Sequence, residues 1–66
     1  MPILTVKTWA GISEDQKRDM VETFTRESCR ILDCKQEHVM VVIEEVDRAN
    51  WGLEGGLAKD LYPKKE

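Results

Sequence analysis

VMVVIEEV, residues 39–46, decides how the chain is built. β-Branched residues dominate and neither Gly nor Pro interrupts, so the stretch reads as a strand. Both alternating sets are apolar over its first five residues: Val39, Val41 and Ile43 on one side, Met40 and Val42 on the other. A strand that is apolar on both faces belongs inside a sheet covered on two sides, the habit of parallel sheets. It therefore needs a parallel partner and a crossover, and both lie upstream.

Residues 2–9 (PILTVKTW) supply the partner, a β-branched and aromatic run with no internal Gly. AGIS then breaks the pattern. Ser13 and Gln16 have the spacing of a capping box, and Glu14 and Asp15 sit in the first turn, where the helix dipole favours acids. Met20, Val21, Phe24, Ser28, Ile31 and Leu32 recur at three- and four-residue steps as one apolar stripe. Lys17, Arg18, Glu22, Arg26 and Arg30 fall largely off it, and the helix is expected to end near Leu32 or Asp33. A polar connector (DCKQEH) leads into residues 39–46. Strand, helix and strand of these lengths make a right-handed β-α-β unit. In the tail, NWGLEGGLAKDLYPKKE, Gly52, Gly55 and Gly56 predict a tight turn or short hairpin, and Pro63 with the lysines a frayed end. The expected class is α+β, one domain over residues 1–66.

Two parallel strands and one helix leave a sheet face and both edges bare, and such a unit does not survive alone in water. A chain of 66 residues buries only about 60% of its unfolded surface and needs a disulfide, a metal or partner subunits. Cys29 and Cys34 do not make a CxxC pair, only His38 could join them as a ligand, and a disulfide between them would close a trivial loop. They are read as buried or half-buried free thiols, with no metal. Oligomerisation is the remaining support, and a second copy is expected to extend the sheet. The other bulk numbers exclude classes. Hydrophobic residues at 41% and charged residues at 35% of mixed sign rule out disorder by composition. A net charge of -3 gives no basic field for nucleic acid or an anionic membrane. No apolar run approaches the length of about 18 residues that marks a membrane helix, and no signal-peptide core is evident, so a soluble, cytoplasmic protein is expected.

Pro2, directly behind Met1, has two readings. Proline lacks a backbone donor and often begins a strand. If Met1 is removed, Pro2 instead becomes a secondary amine able to carry protons.

The chain resembles the 4-oxalocrotonate tautomerase family of small Met-Pro subunits. The resemblance rests on MPILTVKTWAG, the helix start SEDQKRDMV, the strand VVIEEV and the tail NWGLEGGLA, and covers essentially the whole chain. It is most specific in Pro2 after Met1, with SEDQK and the aromatic-Gly-x-x-Gly-Gly tail of Trp51, Gly52, Gly55 and Gly56. It implies strands joined across a dimer into a four-stranded sheet, dimers assembled as a hexamer, and the Pro2 amine as catalytic base with no cofactor. It also implies a pocket in which Trp51 stands where the family has an aromatic wall, usually phenylalanine.

The chain departs from the family where two arginines are expected, for Ile12 and Met40 stand in their places. Neither can replace a bidentate carboxylate clamp. Lys7, His38 and Arg48 are the cations that could compensate, Arg48 foremost because DRANW leads into the aromatic wall. Glu44 and Glu45 read as a solvated pair at a strand end, and Trp9 and Phe24 as core. The expected function is enol–keto tautomerisation of a small 2-hydroxy-dienoate or enol-pyruvate acid by a homo-oligomer, with Pro2 as base and Trp51, Arg48, Met40 and Ile12 lining the substrate. Two alternatives stay open: a complementary subunit of a hetero-oligomer, and a proline-dependent dehalogenase, hydratase or decarboxylase.

Overall fold

The computed structural model describes residues 2–63. Strand β1 (Ile3–Trp9), helix α1 (Glu14–Leu32) and strand β2 (Met40–Val46) form the β-α-β unit. The tail carries the hairpin β3 (Gly52–Leu53) and β4 (Gly56–Leu57), then a short helix α2 (Ala58–Leu61). β1 and β2 pair in parallel, from Ile3 opposite Met40 to Trp9 opposite Val46. Each begins one residue later than its sequence pattern. Pro2 has no N–H to give the ladder, but its carbonyl accepts from the Met40 N–H at 3.0 Å.

Helix α1 starts as its capping box dictates: the Ser13 hydroxyl accepts from the Gln16 N–H at 3.1 Å, and the Gln16 side chain accepts from the Ser13 N–H at 2.9 Å. It stops at Asp33, whose φ of 52° and ψ of 53° are left-handed and whose N–H turns back to the Cys29 carbonyl. The hairpin turns on Glu54 and Gly55, with φ of 53° and 81°. Positive φ at both central residues is the type I′ geometry that matches the twist of two joined strands. Helix α2 adds to the turn or short hairpin that the tail's glycines predict. A Cβ at Gly56 would lie 3.3 Å from the Leu61 side chain, so glycine lets the hairpin lie directly under this helix. The expected frayed lysines, Lys64 and Lys65, lie outside the described residues.

Leu4, Val6, Val41 and Ile43 are half-buried on the face toward α1. The opposite face is open: Ile3, Met40 and Val42 are 64%, 50% and 46% exposed. Ala58 is the one fully buried apolar side chain among the described residues. The accessible surface, 5379 Å², exceeds the roughly 4300 Å² expected of a compact monomer of this mass. The radius of gyration, 15.0 Å, exceeds the roughly 11 Å expected for this length. One copy is thus a flat layer with almost no core, the half-built sheet that the two-sided apolar pattern of β2 requires.

Candidate active site

The five candidate residues fall at two ends of the strand pair. Pro2 and Met40 sit at its start, tied by the hydrogen bond between the Pro2 carbonyl and the Met40 N–H. Pro2 is half-buried, while the Met40 side chain stands on the open face. Ile12, Arg48 and Trp51 sit at the other end, past Trp9 and Val46. Seven strand residues at about 3.3 Å each separate the two groups by about 20 Å. A single chain does not bring them together.

At the second end the loop from β1 to α1 is clamped by a residue whose role is not evident from sequence. One oxygen of Glu45 accepts from the Gly11 N–H at 2.9 Å and the Ile12 N–H at 3.3 Å, and its other oxygen pairs with Lys17 at 2.8 Å. Gly11 has a φ of 111°, a backbone state that side chains rarely adopt, which swings both N–H groups toward the carboxylate. Lys17 first, and the Gly11 and Ile12 donors with it, hold the Glu45 carboxyl below its ordinary pKa. Glu44 points the other way, 4.0 Å from Lys7 on the open face. The expected solvated pair is therefore divided: Glu44 fits that reading and Glu45 does not.

Arg48 lies over Trp9, its guanidinium carbon 4.6 Å from the ring centroid, and donates to the Tyr62 carbonyl at 3.1 Å. Trp51 meets Trp9 edge-on at 6.3 Å, and Tyr62 packs tilted at 5.7 Å. Trp9 is thus less a core residue than the platform on which Arg48 and Trp51 pack. It is half-buried, and its indole N–H is buried with no acceptor among the described residues. Arg48 and Lys59 line a cavity of about 270 Å³ with Ala10, Gly11 and Asp47. Nothing in the sequence around Lys59 marks it, because only the fold of α2 carries it there. Of the other cations, Lys7 is engaged by Glu44, and His38, in the 3-10 turn before β2, lies 3.8 Å from Glu37.

This architecture defines a class: a small α+β chain with a proline at the start of its first strand and a cluster of aromatic side chains beyond the far strand end. The model of the tautomerase enzyme family matches residues 2–61. A probable tautomerase of Halalkalibacterium halodurans is 37% identical over 60 residues, covering 91% of this chain and 98% of the relative. The 2-hydroxymuconate tautomerase of Comamonas testosteroni is 34% identical over 61 residues, covering 92% and 97%. A crystal structure of a 4-oxalocrotonate tautomerase homologue superposes with a TM-score of 0.86 at 33% identity, covering 91% of this chain and 95% of that one. A heterohexamer 4-oxalocrotonate tautomerase from Chloroflexus aurantiacus shares the fold, with a TM-score of 0.86 at 23% identity over 92% and 98% of the chains. The chain belongs to the tautomerase family, with the β-α-β unit and C-terminal hairpin of the 4-oxalocrotonate tautomerases. No helix among the described residues is long and apolar enough to cross a membrane.

Proposed function

We propose that this chain is a subunit of an oligomeric tautomerase whose base is the Pro2 amine, exposed by removal of Met1. The observation that carries the reading is the separation of Pro2 and Met40 from Ile12, Arg48 and Trp51 by the length of the strands. A neighbouring copy set antiparallel across a two-fold axis places one chain's Pro2 beside the other chain's Trp51 end. The bare sheet face and near-absent core call for such copies, and a hexamer is the assembly the family suggests.

The chemistry moves one proton. The amine accepts the enol hydroxyl proton and returns a proton to carbon as the carbonyl forms, so its pKa must lie near the working pH. An α-amine starts near pKa 8. An apolar junction and a nearby cation both disfavour its charged form and lower that value. The pyrrolidine ring fixes φ and so aims the nitrogen. Arg48, mounted on Trp9, is the cation for a substrate carboxylate, and Trp51 the wall that excludes water. With apolar Ile12 and Met40 where the family has arginines, a small monoanionic enol-pyruvate suits the pocket better than a dicarboxylate. The missing arginines also favour a second reading, a complementary subunit whose cations come from a different chain. Purification of the native protein with a second small chain would support it.

The test compares trimmed protein with protein retaining Met1, on phenylenolpyruvate and 2-hydroxymuconate. Retention converts the Pro2 nitrogen to an amide with no basic lone pair, so ketonisation should be lost with the oligomer intact. Equal rates for the two forms would make Pro2 an ordinary strand-starting residue.

A further inference from the structure

Cys29 and Cys34 occupy the two positions whose side chains meet in a helix C-terminal cap of this kind. Asp33 is the left-handed residue, and the N–H groups of Asp33 and Cys34 both return to the Cys29 carbonyl, that of Cys34 at 3.4 Å. The cap folds the residue after the left-handed position back onto the last helical turn, where a side-chain contact commonly seals it. Here the residues at both positions are cysteines, near enough for the Cys34 thiol to act on Cys29. Burial, and then the adjacent Cys34 thiol, raise the Cys29 pKa. Both cysteines are free and half-buried, and both line an open groove of about 1000 Å³ between α1 and the connector, with Arg26 and Lys35 at its margin. The short loop between them limits what a crosslink adds to stability, but it does not limit how readily the crosslink forms once the sulfurs are placed together.

We propose that Cys29 and Cys34 form a reversible dithiol–disulfide site, oxidised by a hydroperoxide that enters through this groove. One thiolate attacks the terminal peroxide oxygen, the O–O bond breaks and a sulfenic acid forms. The leaving oxygen takes a proton from solvent and departs as an alcohol, or as water when the oxidant is hydrogen peroxide. The second thiolate attacks that sulfur, the S–S bond forms, the S–O bond breaks, and the expelled hydroxide takes a proton from solvent and leaves as water. The two sulfurs lose two electrons and the peroxide gains them. The bridge ties the connector, and through it the start of β2, to the end of α1. The site stands independently of the assignment of Pro2.

The experiment treats the native oligomer with one equivalent of hydrogen peroxide per chain, alkylates it under denaturing conditions and weighs it. Reduced chain should take up two alkyl groups. Oxidised chain should take up none and weigh about 2 Da less than unmodified reduced chain, with dithiothreitol restoring both sites. Trypsin separates the cysteines by cutting after Arg30, so ESCR and ILDCK should appear as one linked pair. In Cys29→Ser or Cys34→Ser, the same treatment should leave a single oxygenated or still-alkylatable sulfur. Persistence of two alkylatable thiols in the wild type, oxygen addition without the linked pair, or a bridge between chains would each overturn the proposal.

Discussion

Glu44 and Glu45 are adjacent in sequence, yet only Glu45 meets backbone donors. Strand alternation sends them to opposite faces, and the bend at Gly11 delivers the N–H groups of Gly11 and Ile12 to one oxygen of Glu45. Nothing in the string EE distinguishes the two, because the donors lie 34 and 33 residues away. The consequence is a pH dependence of defined sign. A carboxyl whose folded pKa is lowered stabilises the fold above its unfolded pKa and loses that contribution as pH falls through the folded value. The thermal midpoint of wild type should therefore drop more steeply than that of Glu45→Gln on acidification below the ordinary glutamate range, with the variant the less stable of the two near pH 7. Parallel pH profiles would remove Glu45 from the clamp. That Arg48 lies at the same end of the molecule as Trp51 is legible for a different reason, since the two are three residues apart in the chain. The place of Trp9 beneath Arg48 is not, since a tryptophan ending a strand looks like core until Arg48 is seen over its face.

The elements themselves were legible wherever local rules act alone. The capping box at Ser13 and the strand pattern of β2 each depend on neighbours in sequence and formed as read. The stripe of α1, by contrast, is covered only at Met20, Phe24 and Ser28, with Val21, Ile31 and Leu32 left exposed in the single copy. Ser13→Ala removes the hydroxyl that accepts from Gln16, and should cost about 1 kcal/mol of stability, read as a lowered thermal midpoint with helical content retained. An unchanged midpoint would show the cap to be redundant. Helix α2 escaped because four residues, AKDL, carry too little periodicity to read. What fixes it is tertiary: Arg48 donates to the carbonyl of Tyr62, and Gly56 makes room for Leu61. The cysteine pair escaped likewise, because the contact depends on Asp33 adopting the left-handed state.

For the whole molecule, the flatness of the single copy dictates both its assembly and the layout of its site. Ile3, Met40 and Val42 form an apolar strip on the open sheet face, and little core lies beneath the other. No folded monomer near 7.6 kDa should appear in sedimentation at micromolar concentration, and a charge on the strip, as in Val42→Lys, should dissociate the assembly and unfold it together. A folded monomer would show that the bare face needs no cover. The bare sheet face is legible in residues 39–46; the number of copies that would cover it is not, because strand pattern fixes faces and not symmetry. The same flatness divides the groups proposed for catalysis, and that division is tested most directly by subunit mixing. One parent is a chain whose Pro2 is capped by retained Met1; the other is the double variant Arg48→Ala, Trp51→Ala with Pro2 free. Each alone should be inactive on phenylenolpyruvate. Unfolded together in equal amounts and refolded, they should regain on the order of a quarter of wild-type activity, since random assembly of a shared site pairs a free Pro2 with an intact Arg48–Trp51 end at that frequency. A mixture as inactive as its parents, in oligomers shown by mass to be hybrid, would contradict a site shared between chains.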